Sequence, residues 1–227
     1  DYTTWSPQSD PHLPARYSAA NIAPKRNVKS ALQARLGLAA RPDAPVIAVV
    51  SRLVTQKGID LVADALPTLL AETSASFAML GSGEAPVTAA LAAASTNAPE
   101  RVSFTNGYNE ALAHLIIAGS DLLIVPSRYG PCGLTQMYAL KFGTVPVVRM
   151  TGGLADTVEH FDPATDRGNG SVFRDADVGG VLWGTRQALG WFEQPVAWAR
   201  VIANGMRADF SWSKQAAPYE ALYRRLI

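Results

Sequence analysis

The stretch that decides the fold is residues 46–80, VIAVVSRLVTQKGIDLVADALPTLLAETSASFAML. It opens with a run of apolar, mostly β-branched residues, which is typical of a strand covered on both faces. The apolar side chains that follow recur at spacings of three and four, as on the buried face of a helix: Ile59, Val62, Leu66, Leu69 and Leu70. A second apolar run at 76–80 closes the stretch. This order of strand, helix and strand predicts a right-handed crossover between parallel strands.

The rest of the chain repeats this alternation. Further strand-like runs lie at 102–105, 122–125, 145–148 and 170–173, with helical patterns between them. We therefore predict an α/β fold: a Rossmann-like, doubly wound parallel sheet of about six strands, followed by C-terminal helices. Ligands of such sheets bind beyond the carboxyl ends of the strands, so the loops that follow the strands are the candidate sites.

The composition divides the chain into three parts. Six prolines precede residue 46, which predicts a linker over 1–45 with one short helix at 28–36, ended by Gly37. A Rossmann-like domain is predicted over 46–208. The last part, 209–227, is predicted to form a C-terminal helix with one apolar face, made by Tyr219, Leu222, Tyr223 and Leu226.

The charge of the chain argues against several partners. With 20 Lys and Arg against 19 Asp and Glu, the net charge of +1 gives no long-range attraction to nucleic acid or to an anionic membrane. No apolar run approaches the roughly 18 residues that a membrane helix needs. The single cysteine excludes an internal disulfide and favours a cytoplasmic protein. The first residues resemble the interior of a longer protein rather than a signal peptide.

Two cations follow the first predicted strand. Arg52 and Lys57 lie in one loop, which Gly58 ends before a helix begins. At the carboxyl edge of a parallel sheet, the two side chains can converge on one anion through charge-assisted hydrogen bonds. Both residues are equally compatible with ordinary solvated loop charges, and the loop alone leaves the two interpretations open.

Glycine-bearing loops follow the later strands and lead into helices. A helix begins near Gly133, and its free N–H groups and positive dipole end should point to the same edge. Thr151 and Gly152 open another helix after the fifth run. Tyr108 follows the third run, where it can stack on a nucleobase or simply pack. Several such entrances on one edge predict a crevice for a phosphate group.

The loop Gly81-Ser82-Gly83-Glu84 allows a different interpretation, a dinucleotide-binding site. Pro86 stands where that fingerprint needs its third glycine, and no acidic residue ends the following strand. A tight turn is therefore preferred to an NAD site. The histidines lie far apart and a lone cysteine cannot build a thiolate zinc site, so we expect no metal ion and no cofactor.

Four motifs in one order carry a resemblance to a known family. They are SRLVTQKG at 51–58, GYNE at 107–110, PSRYGPCGLTQ at 126–136 and TGGLADTV at 151–158. Together they resemble the bacterial glycogen synthase and plant starch synthase family, and the match extends over nearly the whole chain. The family implies a two-lobed GT-B architecture, and this chain resembles its second lobe, which binds the donor. The helix at 209–227 would then pack toward the missing N-terminal lobe.

The resemblance also implies a reaction and a set of site residues. The family transfers glucose from ADP-glucose to the non-reducing end of an α-1,4-glucan with retention, and needs no metal. By resemblance, Arg52 and Lys57 would be the catalytic cations that bind the diphosphate and stabilise the leaving ADP. The remaining residues would bind the substrate, with Tyr108 on the adenine, Cys132 near the glucose, and the helix entrances along the diphosphate and sugar: Gly133, Leu134, Thr135, Thr151, Gly152, Gly153 and Leu154.

The chain departs from the family at one position. Gly130 stands where the family has a glutamate that accepts hydrogen bonds from the hydroxyls of the donor glucose. A glycine cannot replace a carboxylate acceptor, so two functions remain open. The chain is either the donor lobe of an active synthase, or part of a catalytically impaired homologue that only binds ADP or a nucleotide sugar. The cations and the glycine loops are unaffected in both.

Overall fold

The computed structural model of the chain describes residues 2–130 and 133–226. Within these ranges six parallel strands form one sheet: β1 (Val46–Val50), β2 (Ser76–Gly81), β3 (Val102–Asn106), β4 (Leu122–Val125), β5 (Val145–Arg149) and β6 (Ser171–Phe173). Their order is β3-β2-β1-β4-β5-β6, the order of a doubly wound Rossmann sheet. The predicted fold class is therefore confirmed.

Helices cover both faces of this sheet. In the described ranges they are α1 (Lys25–Leu36), α2 (Ile59–Glu72), α3 (Ala85–Asn97), α4 (Glu110–Gly119), α5 (Thr135–Lys141), α6 (Gly152–Thr157), α7 (Val178–Phe192), α8 (Pro195–Arg207) and α9 (Trp212–Leu226). Each strand begins and ends within one residue of its predicted run. The predicted first helix is longer than expected, since it begins at Lys25, and it ends at Gly37 in the left-handed conformation (φ 69°).

The core consists of two layers, one on each face of the sheet. Ile47 and Val49 of β1 pack with residues of α2, α3 and α7. Val46 and Ala48 point the other way and pack with residues of α1, α4 and α5. Because both faces are covered, the strands are apolar at nearly every position. Each strand therefore appears in the sequence as a continuous run of apolar residues.

The segment before α1 is part of the packed structure. The Tyr17 hydroxyl is buried and donates a hydrogen bond to the carbonyl oxygen of Phe142 at 2.8 Å. Asp10 and His114 of α4 are both buried, with 2.6 Å between Oδ2 and Nδ1. The ring of Trp5 stacks on His114, with 3.6 Å between centroids. The residues predicted as a linker thus anchor to α4, and the three-part division remains a prediction.

The last helix has the opposite environment. No described residue of α9 is buried, and Trp212 and Leu226 at its ends are 75% and 74% exposed. An exposed apolar stripe of this length has no covering element in the described chain. No helix within the described residues has the length and apolarity to cross a membrane.

Candidate functional site

The strand order places a crevice at the carboxyl ends of β1 and β4. These neighbouring strands lead to helices on opposite faces, since α2 packs on one layer of the core and α5 on the other. At such a switch point the two loops diverge and leave room between them. Arg52 follows β1, and Gly133 and Leu134 precede α5, so the predicted site residues come from both sides of this crevice.

The two predicted cations face one depression of about 210 Å³. Arg52 and Lys57 line it together with four other predicted site residues: Gly133, Leu134, Thr135 and Leu154. Within residues 2–130 and 133–226, neither cationic side chain has an ion-pair or hydrogen-bond partner. Two uncompensated positive charges beside the start of a helix favour an anion.

A second depression of about 310 Å³ adjoins the first. The two share Val50, Ser51 and Arg52, so the Arg52 side chain lies at their boundary. Tyr108 lines the second depression and is 84% exposed, which leaves its ring open to stacking rather than packed in the core. The arrangement offers a flat aromatic surface next to a cationic crevice, as a nucleoside diphosphate requires.

The loop that carries Arg52 and Lys57 is fixed on one side by Glu84. The Glu84 carboxylate accepts hydrogen bonds from the Thr55 N–H at 2.8 Å and from the Thr55 hydroxyl at 2.9 Å. Further contacts come from the backbone, where the Leu53 N–H donates to Ser82 at 2.9 Å. The loop after β1 is therefore tied to the loop after β2.

Arg128 fixes the same loop on its other side. Its guanidinium forms a bidentate pair with Asp60, with both N···O distances 2.6 Å, and donates to the carbonyl oxygen of Thr55 at 2.7 Å. The guanidinium holds the pKa of the Asp60 carboxyl below its usual range, mainly through these hydrogen bonds. Arg149, at the end of β5, in turn donates to the Arg128 carbonyl oxygen at 2.5 Å. Three loops are thus joined by two arginines.

The sequence interpretation did not single out these supporting residues. Arg128 lies within the motif at 126–136, whereas Asp60 and Arg149 belong to none of the four motifs. Asp60 and Arg128 lie 68 positions apart, so no local spacing announces their pairing. The available signal was weaker: Arg128 and Arg149 both occur at strand ends that open onto the crevice.

Three glycines at the carboxyl edge, Gly58, Gly81 and Gly83, allow close approaches between loops. A Cβ at Gly81 would collide with the carbonyl oxygen of Ser51, and one at Gly83 with that of Leu53. Gly58 combines a positive φ of 68° with an equally close approach to the carbonyl of Pro126. Only glycine permits these approaches. The packing of the loops therefore accounts for the glycines without a dinucleotide-binding role, and it supports the tight turn that the sequence favours.

Gln136 connects the two helix entrances of the site. Its side chain is buried, and its Nε2 donates to the carbonyl oxygen of Gly133 at 2.9 Å and to the Thr157 hydroxyl at 3.2 Å. Thr157 in turn donates to the carbonyl oxygen of Gly153 at 2.6 Å. Gln136 therefore sets the position of the loop before α5 relative to α6. It was not among the predicted site residues.

The residues predicted after β5 fall into two groups. Leu154 lines the crevice, with most of its side chain in the core. Thr151, Gly152 and Gly153 lie at the start of α6 and line neither of the two depressions. The predicted Cys132 lies outside the described residues.

Gly130 lines the crevice at the position where the sequence departs from the family. Among residues 2–130 and 133–226, a Cβ built on it would meet no heavy atom within 4 Å, and its φ lies outside the left-handed region. The described part of the chain therefore leaves space for a Cβ at residue 130.

Comparison with known proteins gives the same assignment as the motifs. Residues 32–189 match the family described as "Glycosyl transferases group 1". A glycogen synthase from Anaeromyxobacter dehalogenans (strain 2CP-1) is 50% identical over 226 residues, which cover 100% of this chain and 47% of that protein. A glycogen synthase from Yersinia pestis (strain Pestoides F) is 45% identical over 229 residues, covering 100% and 48%. The chain spans about half the length of the curated relatives it matches.

Solved structures agree with this assignment. The catalytic domain of starch synthase IV from Arabidopsis thaliana, bound to ADP and acarbose, matches with a TM-score of 0.91 and 36% identity over 99% of this chain and 47% of that one. Sucrose-phosphate synthase from Thermosynechococcus elongatus shares the fold, with a TM-score of 0.64 and 23% identity over 86% and 48%. The expected GT-B fold and the resemblance to glycogen and starch synthases are both confirmed. The chain belongs to the group 1 glycosyl transferase family.

Proposed function

We propose that this chain is the donor-binding lobe of a glycogen or starch synthase, which transfers glucose from ADP-glucose to the non-reducing end of an α-1,4-glucan with retention. The observation that carries the proposal is the pair Arg52 and Lys57, which face one crevice beside the start of α5 without partners among the described residues. A diphosphate placed there would receive both charges and the free N–H groups of the helix start.

In this proposal each part of the crevice has a role in the reaction. Arg52 and Lys57 bind the diphosphate, and their charges stabilise the negative charge that develops on the departing ADP. The backbone N–H groups of Leu134 and Thr135 add contacts at the helix start. Tyr108 stacks on the base, and Cys132 with residues 151–154 would lie along the sugar. No step requires a metal ion.

Adenine is proposed as the base from the relatives rather than from contacts of this chain. The starch synthase IV structure that resembles the chain at 36% identity contains ADP. Tyr108 itself would stack on any base, because every nucleobase offers a π-face. The α-glucan acceptor is likewise proposed from the glycogen synthases that match the chain.

Gly130 supports a second function, that of a homologue which binds a nucleotide sugar but transfers it poorly. No aspartate or glutamate is among the described residues that line the crevice, so none of them offers a carboxylate in its place. Charge-assisted hydrogen bonds contribute about 1.5–3 kcal/mol each, and those lost to the sugar would raise the barrier to transfer. Nucleotide binding would persist, because Arg52 and Lys57 are unaffected.

Calorimetry with ADP, ADP-glucose and NAD tests the proposed binding. We expect ADP to bind, and Arg52→Ala or Lys57→Ala to weaken it by about 10- to 150-fold, the equivalent of one charge-assisted contact. Arg35→Ala is the matched control, since Arg35 is exposed in the last turn of α1, away from the crevice. Selective binding of NAD, or equal losses in the control, would overturn the assignment.

Restoring the carboxylate separates the two functions. A chimera that joins this chain to the first lobe of the Anaeromyxobacter dehalogenans glycogen synthase supplies the other half of the cleft. If Gly130 is the cause of impaired transfer, Gly130→Glu raises glucan extension at unchanged ADP affinity. Full activity without the substitution would exclude the impaired homologue.

The exposed helix α9 and the three-part division belong to the same proposal. The apolar stripe of α9 would be covered by the N-terminal lobe, and the segment over 1–45 would carry the chain between the lobes. Trp212 and Tyr219, which are 75% and 58% exposed, would then become buried. A cytoplasmic location is proposed together with the synthase function.

A further inference from the structure

A third depression lies at the carboxyl end of β6, outside the crevice described above. Its volume is about 520 Å³, larger than either depression of the crevice and within the range of ligand sites. Trp183 of α7 lines it, together with Arg174, Asp175 and Asp177 from the loop between β6 and α7. None of the four is part of the proposed donor site.

The indole ring of Trp183 is held in place yet remains available. His160 stacks on it, with 5.5 Å between ring centroids and 23° between the planes. His160 is itself fixed, because its Nδ1 accepts a hydrogen bond from the Val172 N–H at 3.1 Å. Trp183 nevertheless remains 46% exposed. A large, half-exposed aromatic ring with a rigid support is a surface for stacking.

Polar groups of both charge signs surround this ring. The side chains of Arg174 and Asp175 are exposed and have no hydrogen-bond or ion-pair partner among the residues that the structure describes. Asp177 uses Oδ1 to accept from the Gly180 N–H at 2.8 Å, which caps α7 and fixes the orientation of its carboxylate. Donors and acceptors at the edge of an aromatic face match the chemistry of a sugar, whose ring faces are apolar and whose rim is hydroxylated.

The position along the sheet edge indicates which sugar would reach this depression. Tyr108 follows β3, the cations lie at β1 and β4, and Leu154 follows β5, so the proposed donor runs from base to sugar in the direction of β6. The depression with Trp183 is next in this direction. In the proposed function, the acceptor glucan approaches the sugar end of the donor. A glucan is therefore the polymer that we expect at this edge of the sheet.

We propose that this depression binds a stretch of α-1,4-glucan, with a glucose ring stacked on Trp183 and the hydroxyls of that ring hydrogen-bonded to Arg174 and Asp175. The identity of the ligand rests on the proposed function, whereas the depression, the aromatic ring and the unpaired charges do not. The site would hold the polymer on the donor lobe itself, outside the crevice that binds the nucleotide.

Affinity electrophoresis of the chain in gels that contain glycogen tests the proposal, with maltoheptaose titrations followed by tryptophan fluorescence as the second measurement. We expect glycogen to retard the chain, and Trp183→Ala to weaken binding by about tenfold, the loss typical of an aromatic anchor. Trp212→Ala is the matched control, since Trp212 is also an exposed tryptophan but lies on α9. Trp183→Phe should retain much of the affinity.

Two further arms keep the test decisive. If Trp183→Ala lowers the melting temperature, the double variant Arg174→Ala/Asp175→Ala removes only exposed side chains and should weaken glucan binding without loss of stability. Absence of glucan binding, equal losses in Trp183→Ala and Trp212→Ala, or equal affinity for a β-1,4-linked oligosaccharide would overturn the proposal. Calorimetry with ADP on the same variants distinguishes this result from failure of the donor site, because ADP affinity should be unchanged in Trp183→Ala.

Discussion

Two lysines at the amino edge of the sheet and two cations at its carboxyl edge differ in whether the fold pairs them. At the amino edge, Lys29 is paired with Asp121 at 2.7 Å, and Lys25 donates to the carbonyl oxygen of Ala118 at 2.6 Å. At the carboxyl edge, Arg52 and Lys57 have no partner among the described residues and line an open crevice. The first pair is used by contacts within the fold, and the second remains available to a ligand. The two edges therefore differ in whether their cations are paired rather than in the charge they carry.

Removal of Asp121 should produce the largest effect. Its Oδ2 accepts hydrogen bonds from both Lys29 and the Val46 N–H, the latter at 2.8 Å, so Asp121→Ala leaves the buried Lys29 ammonium with only the carbonyl oxygen of Pro42 and the buried Val46 amide without a partner among the described residues. We expect the free energy of unfolding to fall by about 3–5 kcal/mol in urea titrations. Asp64→Ala, at an exposed carboxylate of α2, should stay within about 0.5 kcal/mol. A loss below about 1 kcal/mol for Asp121→Ala would contradict the structural role of this edge.

The lowered pKa of the buried Lys25 ammonium should make the free energy of unfolding depend on pH. Burial lowers the pKa of Lys25 from 10.5 to about 7, and the neighbouring Asp121 only partly opposes this. Between these pH values the unfolded chain binds more protons than the folded one, so the free energy of unfolding rises with pH. Relative to Lys25→Met, the unsubstituted chain should gain about 2–4 kcal/mol between pH 7 and pH 10. The exposed Lys214→Met should retain the gain, and a pH-independent difference for Lys25→Met would refute the assignment.

Asp60 provides an intermediate case, a paired charge at the functional edge. The pair with Arg128 is partly exposed, so Asp60→Ala should cost only about 0.5–1 kcal/mol in the free energy of unfolding. Because the pKa of Asp60 is lowered in the folded state, this contribution is present at neutral pH and disappears as the pH falls through the lowered pKa. Urea titrations at pH 7 and pH 3 measure both effects. A cost that is the same at the two pH values would exclude the ion pair as its source.

The smallest effect on stability is expected for Arg52. The Arg52 side chain has no hydrogen-bond or ion-pair partner among the described residues. Arg52→Ala should therefore change the free energy of unfolding by no more than about 0.5 kcal/mol. The same variant should lose most of its ADP affinity. A loss of stability above about 1 kcal/mol would mean that the fold depends on Arg52, and the contrast between the two edges would fail.

The strands and the mouth of the crevice could be predicted because their signals are local. Continuous apolar runs mark strands covered on both faces, and Arg52 and Lys57 directly follow one of them. A parallel sheet brings all such strand ends to one edge, which made convergence of the two cations one of the two interpretations that the sequence left open. The third depression gave no such signal, since Trp183 reads as one more apolar residue of a helix.

The amino edge could not be predicted for the opposite reason. The prolines of residues 1–45 indicate broken regular structure, but they say nothing about burial, and Tyr17, Lys25 and Lys29 are buried nonetheless. Each of these residues contacts groups about a hundred positions away in the chain, as Lys25 does with Thr144. The roles of the crevice residues toward a donor, including Cys132 outside the described ranges, remain predictions.

The double attachment of the loop after β1 has a kinetic consequence. Glu84 and Arg128 hold Thr55 from two sides before any ligand arrives, so Arg52 and Lys57 are presented on a preassembled frame. Binding of a nucleotide in the crevice should therefore involve little loss of conformational entropy in this loop. Association should then proceed in a single phase whose rate grows linearly with nucleotide concentration, and slow isomerisation would have to come from movements between lobes.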